Sequence, residues 1–183
     1  MNPSVSLLQP QLLFFADDGR FPNSRLPVLL YRGVSAPAGQ RLDNWLERAF
    51  TDHNWRGIWR NGILPYDHYH STSHEVLGIY AGWADVRLGG PNGETRRVQA
   101  GDVLVIPAGV AHNNLGHSPD FAVIGAYPDG RSWDLLQGDP GERPAADERI
   151  AQLPLPDQDP LYGPNGSLVA IWNGKPDNQP VGP

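Results

Sequence analysis

The chain has 183 residues, with 14 basic and 20 acidic side chains, a net charge of −6 and no cysteine. That length suits one domain able to bury a core without staples. The missing cysteines exclude disulfides, thiolate nucleophiles, iron–sulfur clusters and cysteine-bound zinc.

No basic run exceeds the pair Arg96 and Arg97, which argues against nucleic acid or an anionic membrane as partner, since both demand clustered cations. No apolar stretch approaches the ~18 residues of a membrane span. The start, MNPSVSLLQP, lacks the basic region of a signal peptide. With the absence of cysteine, this predicts a cytoplasmic protein. The 21 glycines and 19 prolines are nearly twice the usual share of roughly 12%. In a chain that is 39% hydrophobic they predict many short strands and tight turns.

In chain order, residues 11–15 are apolar enough for a strand, and Asp17-Asp18-Gly19 reads as a turn. Residues 27–31 form a second strand, ended by Gly33. Leu42, Trp45, Leu46, Ala49 and Phe50 lie on one stripe of period 3.6 and predict a helix, with Asp43, Glu47, Arg48 and Asp52 on its other face. Trp55 and Trp59 are expected to pack beside it.

Residues 76–80 are a compact apolar run, and Ala84, Val86 and Leu88 alternate with Asp85 and Arg87 in a half-buried strand. Gly89-Gly90-Pro91-Asn92-Gly93 is a turn cluster; Val98, residues 103–106 and residues 121–127 complete the strands. Such punctuation predicts a sandwich or barrel. From Gly138 onward the prolines 140, 144, 154, 156, 160 and 164 predict an extended arm wrapping the core. Residues 168–172 are expected to add a last strand, and the tail from Lys175 to fray.

Five of the six histidines fall between residues 68 and 117. His68 and His70 project from the same face if they lie on a strand, which suits a metal ion between neutral imidazoles. Two half-exposed strand histidines are the plain alternative. His74 and Glu75 follow closely, and His112 comes just after Pro107-Ala108-Gly109. His53 and His117 read as surface residues. There is no G-x-S-x-G elbow and no phosphate-cradling loop.

Gly62, five residues, His68, one residue, His70, four residues, Glu75, six residues and Gly82 match the first cupin motif. Gly101, five residues, Pro107-Ala108-Gly109, two residues and His112 match the second. Gly116 stands where that motif ends in asparagine, with Asn113 and Asn114 nearby. The chain thus resembles the cupin superfamily over residues 62–116. Through WRNGILPYDHYHSTSHEVLGIYAG, GDVLVIPAGVAHNN and GAYPDG it resembles the YjlB-like cupins over residues 26–172.

The resemblance implies an all-β fold, a single cupin domain over 1–183 built as a β-barrel or jelly roll. The motifs would occupy 62–82 and 101–116, after an N-terminal extension 1–60 with one helix and before a C-terminal arm 138–183. It implies a homodimer, because cupin sheets pair across subunits, and the ligand set His68, His70, Glu75 and His112 for iron, manganese, nickel, cobalt or zinc. Cupins with a spacing of three would use His74 in place of Glu75. The two are adjacent, so a regular strand points them to opposite faces and joint ligation would need a bulge. His74 is therefore expected behind the ligands or at the surface, with a four-histidine site as the rival.

Tyr66, Tyr80 and Tyr127 are candidates to line the pocket, and Asp129 to border it. Arg87 is expected to face outward, with anchoring of an anionic substrate as the alternative. Three readings of function stand. The first is a metal-dependent enzyme of oxygenase, isomerase or decarboxylase type acting on a small organic molecule, the ion serving as Lewis acid or oxygen site. No separate acid or base is assigned. The second is a non-catalytic cupin that binds a small molecule or a metal. The third, which the intact ligand set opposes, is a metal-free epimerase with a histidine base.

Overall fold

The run Val103-Leu104-Val105-Ile106 has no polar face, so it needs apolar cover on both sides. The computed structural model describes residues 7–174; the first six residues and the tail from Lys175, expected to fray, lie outside them. Over the described residues the elements are β1 (Gln11–Phe15), β2 (Ser24–Tyr31), α1 (Leu42–Asp52), β3 (Trp55–Asn61), β4 (Glu75–Ala81) and β5 (Trp83–Leu88). They continue with β6 (Glu94–Gln99), β7 (Val103–Ile106), β8 (His112–His117), β9 (Ala122–Pro128), α2 (Ala145–Gln152) and α3 (Ser167–Asn173).

The strands form an antiparallel six-stranded sheet, ordered β1-β2-β7-β4-β9-β3, and a three-stranded sheet, ordered β6-β5-β8. Alternation sorts their side chains. Leu30, Leu77, Ile79, Leu104, Ile106 and Val123 join Val86 and Leu88 of the smaller sheet in one buried cluster between the sheets. Leu29, Tyr31, Val76, Val103, Val105 and Ile124 point the other way, into a second cluster with Leu46 and Phe50 of α1 and Leu168 and Trp172 of α3. This is the jelly-roll barrel expected from the sequence, and the helices supply the cover that the apolar strands need.

Several elements depart from the sequence reading. WRGIWRN is a strand, β3, with an irregularity between Arg56 and Trp59. Trp55 packs with Leu46 and Phe50 as expected, whereas Trp59 turns to the barrel side. His112, read from the sequence only as following Pro107-Ala108-Gly109, begins a strand, β8. His68 and Tyr69 form isolated bridges instead of a strand, pairing with His112 and Leu136. Asp43, expected in solvent, is buried on α1, where Arg41 (3.1 Å) and Arg60 (2.6 Å) neutralise it.

The arm after β9 carries two short helices. Residues 168–172 are helical rather than extended: Leu168 and Trp172, four apart, bury one face against the sheet. The helix start is held by Asp159, which is fully buried. Its carboxylate accepts the Tyr31 hydroxyl and the backbone N–H groups of Leu161 (2.8 Å), Tyr162 (3.2 Å) and Leu168 (3.1 Å). Asp159→Ala strands these donors and is expected to cost about 3 kcal/mol or more. Urea unfolding reads the loss as a lower midpoint, and an unchanged midpoint would show that the arm is not anchored there.

Candidate metal centre

His68 and His112 stand opposite each other on paired backbone: the His112 N–H donates to the His68 carbonyl at 2.9 Å and the His68 N–H to the His112 carbonyl at 3.2 Å. Residues so paired share a face, and their rings lie 4.1 Å apart. Pro107 ends β7, and Gly109, at φ +96°, turns the chain back; a Cβ there would lie 2.2 Å from the Asn23 carbonyl. The turn is tied to the site, since the Gly109 N–H donates to the His70 carbonyl at 2.8 Å. His70 reaches the same face as His68. Glu75 begins β4 opposite Ile106 and points inward with Leu77.

The three imidazoles are buried, with ligand nitrogens within 4.8 Å of one another. Each Nδ1 faces a backbone carbonyl: Tyr66 at 2.9 Å for His68, Val110 at 3.1 Å for His112, and Asp134 for His70. A carbonyl only accepts, so each Nδ1 carries a proton and Nε2 is the nitrogen left to face the cluster. Burial, then the neighbouring His112, pushes the His68 imidazole down to about 3, so it is neutral at ordinary pH.

Glu75 Oε2 lies 3.4 Å from Nε2 of His70 and 3.2 Å from Nε2 of His112. This oxygen is buried and makes no hydrogen bond. Its partner Oε1 accepts the Tyr127 hydroxyl at 3.1 Å, and the Tyr127 oxygen accepts the Trp59 indole N–H at 2.8 Å. The chain Trp59–Tyr127–Glu75 therefore holds the carboxylate with Oε2 toward the imidazoles. Gly125 makes this possible, since a Cβ there would fall 2.1 Å from the Trp59 ring.

Burial favours the neutral forms, but the facing charges win: the Glu75 carboxylate holds the His70 imidazole above its ordinary value, and His70 and His112 hold the Glu75 carboxyl well below its own. A carboxylate oxygen facing two imidazole nitrogens calls for a cation between them, a proton or a metal ion. A proton on His70 answers one contact and leaves His112 facing the oxygen. A divalent ion answers both, so the donor set fits a transition metal.

His74 is not part of this cluster. It is buried, but its Nδ1 accepts the Ala108 N–H at 2.9 Å and its ring packs 5.0 Å from Trp172, on the sheet face opposite Glu75. Adjacent strand residues alternate, which separates the two side chains. Neither the surface placement nor the four-histidine rival matches this geometry.

In front of the cluster lies a cavity of about 300 Å³. Tyr127 lines it. Tyr80 does not: its ring faces α1, with the Arg60 guanidinium 5.7 Å away. Tyr66 is set back behind the His68 ring, 5.7 Å between centroids. Asp129 sits in a left-handed turn, φ 57°, bonded to Asn54. Arg87 pairs with Asp67 rather than facing the cavity. His117 is exposed, and His53, only partly buried, holds the Pro160 carbonyl at 3.0 Å.

The sequence reading missed Trp59, Trp133, Ile63, Leu64 and Leu77 as cavity walls. Alternation along β3 points Trp59 inward once that strand is recognised. No local pattern marks Trp133, which arrives on the loop after β9, held by the Asp134 carboxylate accepting Ser71 N–H (2.6 Å) and Thr72 N–H (3.2 Å).

A cupin family model matches residues 56–132. The chain is 41% identical over 165 residues to the uncharacterised protein YjlB of Bacillus subtilis, covering 90% of this chain and 97% of that one. Among solved structures it is similar to an uncharacterised double-stranded β-helix protein of Klebsiella pneumoniae, with 15% identity, 75% and 85% of the two chains covered and a TM-score of 0.34. It is also similar to a DUF861 family protein of Thermotoga maritima, with 20% identity, 55% and 96% covered and a TM-score of 0.32. With the antiparallel barrel and both histidine motifs in place, the chain belongs to the cupin family, among its YjlB-like members.

Proposed function

We propose that His68, His70, Glu75 and His112 hold one divalent transition-metal ion, and that the protein is a metal-dependent enzyme acting on a small organic molecule. The observation that carries this is Glu75 Oε2, buried without a hydrogen bond and aimed at the Nε2 atoms of His70 and His112. When bound, the ion supplies Lewis-acid chemistry, or an oxygen site if it is iron. Oxygenase, isomerase and decarboxylase reactions all suit this donor set. The chain's own residues position the carboxylate and wall the cavity. The test is metal content by mass spectrometry on protein purified without chelators. Near one equivalent per chain, lost in His70→Ala and Glu75→Ala, is expected; wild-type protein that cannot be loaded rejects the proposal.

Tyr127 positions the carboxylate, and burial and the Glu75 charge push its hydroxyl up, so it stays protonated and donating. Tyr127→Phe is expected to weaken metal binding about 10–100-fold without unfolding the protein, read by competition with a chelating dye. Unchanged affinity would remove Tyr127 from the site.

A second reading, a non-catalytic binding protein, draws on one observation. Among the described cavity residues, Tyr127 is the acid or base outside the ligand set, and its proton is committed to Glu75. Turnover of any small acid, diol or sugar by the metal-loaded protein would exclude it.

The proposal also takes the chain as a cytoplasmic homodimer. Among the described residues no helix is long and apolar enough to cross a membrane. The outer strand β1 exposes Leu12 (42%) and Phe14 (59%), a ready edge for pairing with a second copy. Sedimentation is expected to give a dimer, and Phe14→Glu a monomer; a wild-type monomer refutes the pairing.

A further inference from the structure

Gly130, at φ +67°, turns the chain out of β9, and the segment 132–136 that follows joins neither sheet. Its backbone runs beside the histidine segment instead. The Tyr69 N–H donates to the Leu136 carbonyl at 2.8 Å, and the Leu136 N–H to the Tyr69 carbonyl at 3.0 Å. The Asp134 carboxylate makes a second attachment, accepting the Ser71 N–H (2.6 Å), the Thr72 N–H (3.2 Å) and the Ser71 hydroxyl. In return the Asp134 N–H donates to the Thr72 hydroxyl oxygen at 3.0 Å, and Arg149 of α2 donates to that of Ser71 at 2.7 Å. His70 lies between these two attachments.

The three imidazoles differ in what orients them. His68 and His112 each donate from Nδ1 to a carbonyl two residues back, those of Tyr66 and Val110. His70 donates to the Asp134 carbonyl, 64 residues away. Its direction therefore depends on where segment 132–136 sits. The same segment carries Trp133, whose ring lies 5.3 Å from His70 and 5.9 Å from Tyr127 and is 47% exposed at the cavity mouth. Removing the Asp134 carboxylate would take three contacts from this seam at once, beside both His70 and Trp133.

We infer that Asp134 is a positioning residue of the metal centre: its carboxylate seats segment 132–136 on residues 69–72, so that its own carbonyl aims the His70 imidazole while Trp133 is held at the cavity mouth. Seating of the segment and binding of the ion then strengthen each other, because coupling between two equilibria is reciprocal. The inference rests on the metal-site reading, which makes His70 a ligand.

The test uses the whole protein loaded with zinc. Affinity is read by competition with a chelating dye. The ring N–H of each ligand histidine is followed by proton–nitrogen NMR, with the His70 signal assigned through its Overhauser contacts to Trp133. Asp134→Ala is expected to weaken zinc about 10–100-fold. It should speed water exchange of the His70 ring N–H about tenfold or more and leave those of His68 and His112 unchanged. It should also raise acrylamide quenching of Trp133, taken as the difference from the matching Trp133→Phe protein. Asp134→Asn keeps the oxygen that accepts both backbone N–H groups and should restore most of each reading. If Asp134→Ala does not fold, Thr72→Val, at a partly exposed position, removes the acceptor of the Asp134 N–H and is expected to move the same readings the same way, about threefold. An unchanged value of any of the three readings overturns the inference and leaves the metal site standing. So does equal acceleration at all three imidazoles, the mark of general loosening. Wild-type protein that takes up no zinc overturns the metal reading, and this inference with it.

Discussion

Metal-loaded protein is expected to melt far above the metal-free form. An ion held at 1,000 times its Kd adds about 4 kcal/mol of apparent stability, and a domain of this size gains roughly 2–4 °C per kcal/mol. The expected rise in Tm is therefore on the order of 8–16 °C. The physical cause is the Glu75 carboxylate, buried with Oε2 unbonded and facing the His70 and His112 nitrogens. Calorimetry after chelator dialysis, and again after one equivalent of zinc, makes the comparison. Identical transitions would mean that no ion is bound by the folded state.

Glu75→Gln should separate function from stability, moving them in opposite directions. Gln keeps the shape and the Oε1 acceptor for Tyr127 but removes the buried charge. Without the Glu75 charge that held it up, the His70 imidazole can then lose its proton, so no orphan charge remains. Replacement of a buried ion pair by neutral groups is often stabilising by about 1–4 kcal/mol, and the metal-free variant should melt higher than metal-free wild type. Its metal affinity should fall about 100-fold or more, beyond the 10–100-fold typical of groups that only orient ligands. A metal-free Glu75→Gln protein that melts lower would identify the carboxylate as a structural partner of protonated His70, contrary to its proposed role as a ligand.

Much of this arrangement was legible in advance where local rules act alone. The 3.6-residue stripe of α1 and the apolar run of β7 lie where periodicity places them. The H-x-H pair and the two motif spacings named the residues that the barrel brings together. Other segments were illegible for physical reasons. The run 168–172 is short and apolar, and such a run suits helix and strand alike until a partner decides; here Asp159 and the cover of the sheet decide for helix. Asp43 looked solvated because one of the two arginines that neutralise it, Arg60, comes from β3.

By itself, then, the sequence determined the strands and turns of the barrel, because strand alternation and turn chemistry are local, while its resemblance to the two cupin motifs pointed to three histidines and to Glu75 or His74. Tertiary structure decided what surrounds them. It committed each Nδ1 to a carbonyl, turned Glu75 Oε2 toward the imidazoles through Tyr127 and Trp59, and sent His74 to the opposite face. It also set Trp133 at the cavity mouth. Apart from the Nδ1 bonds of His68 and His112, which reach carbonyls two residues back, these contacts join residues tens of positions apart, and no local periodicity records them.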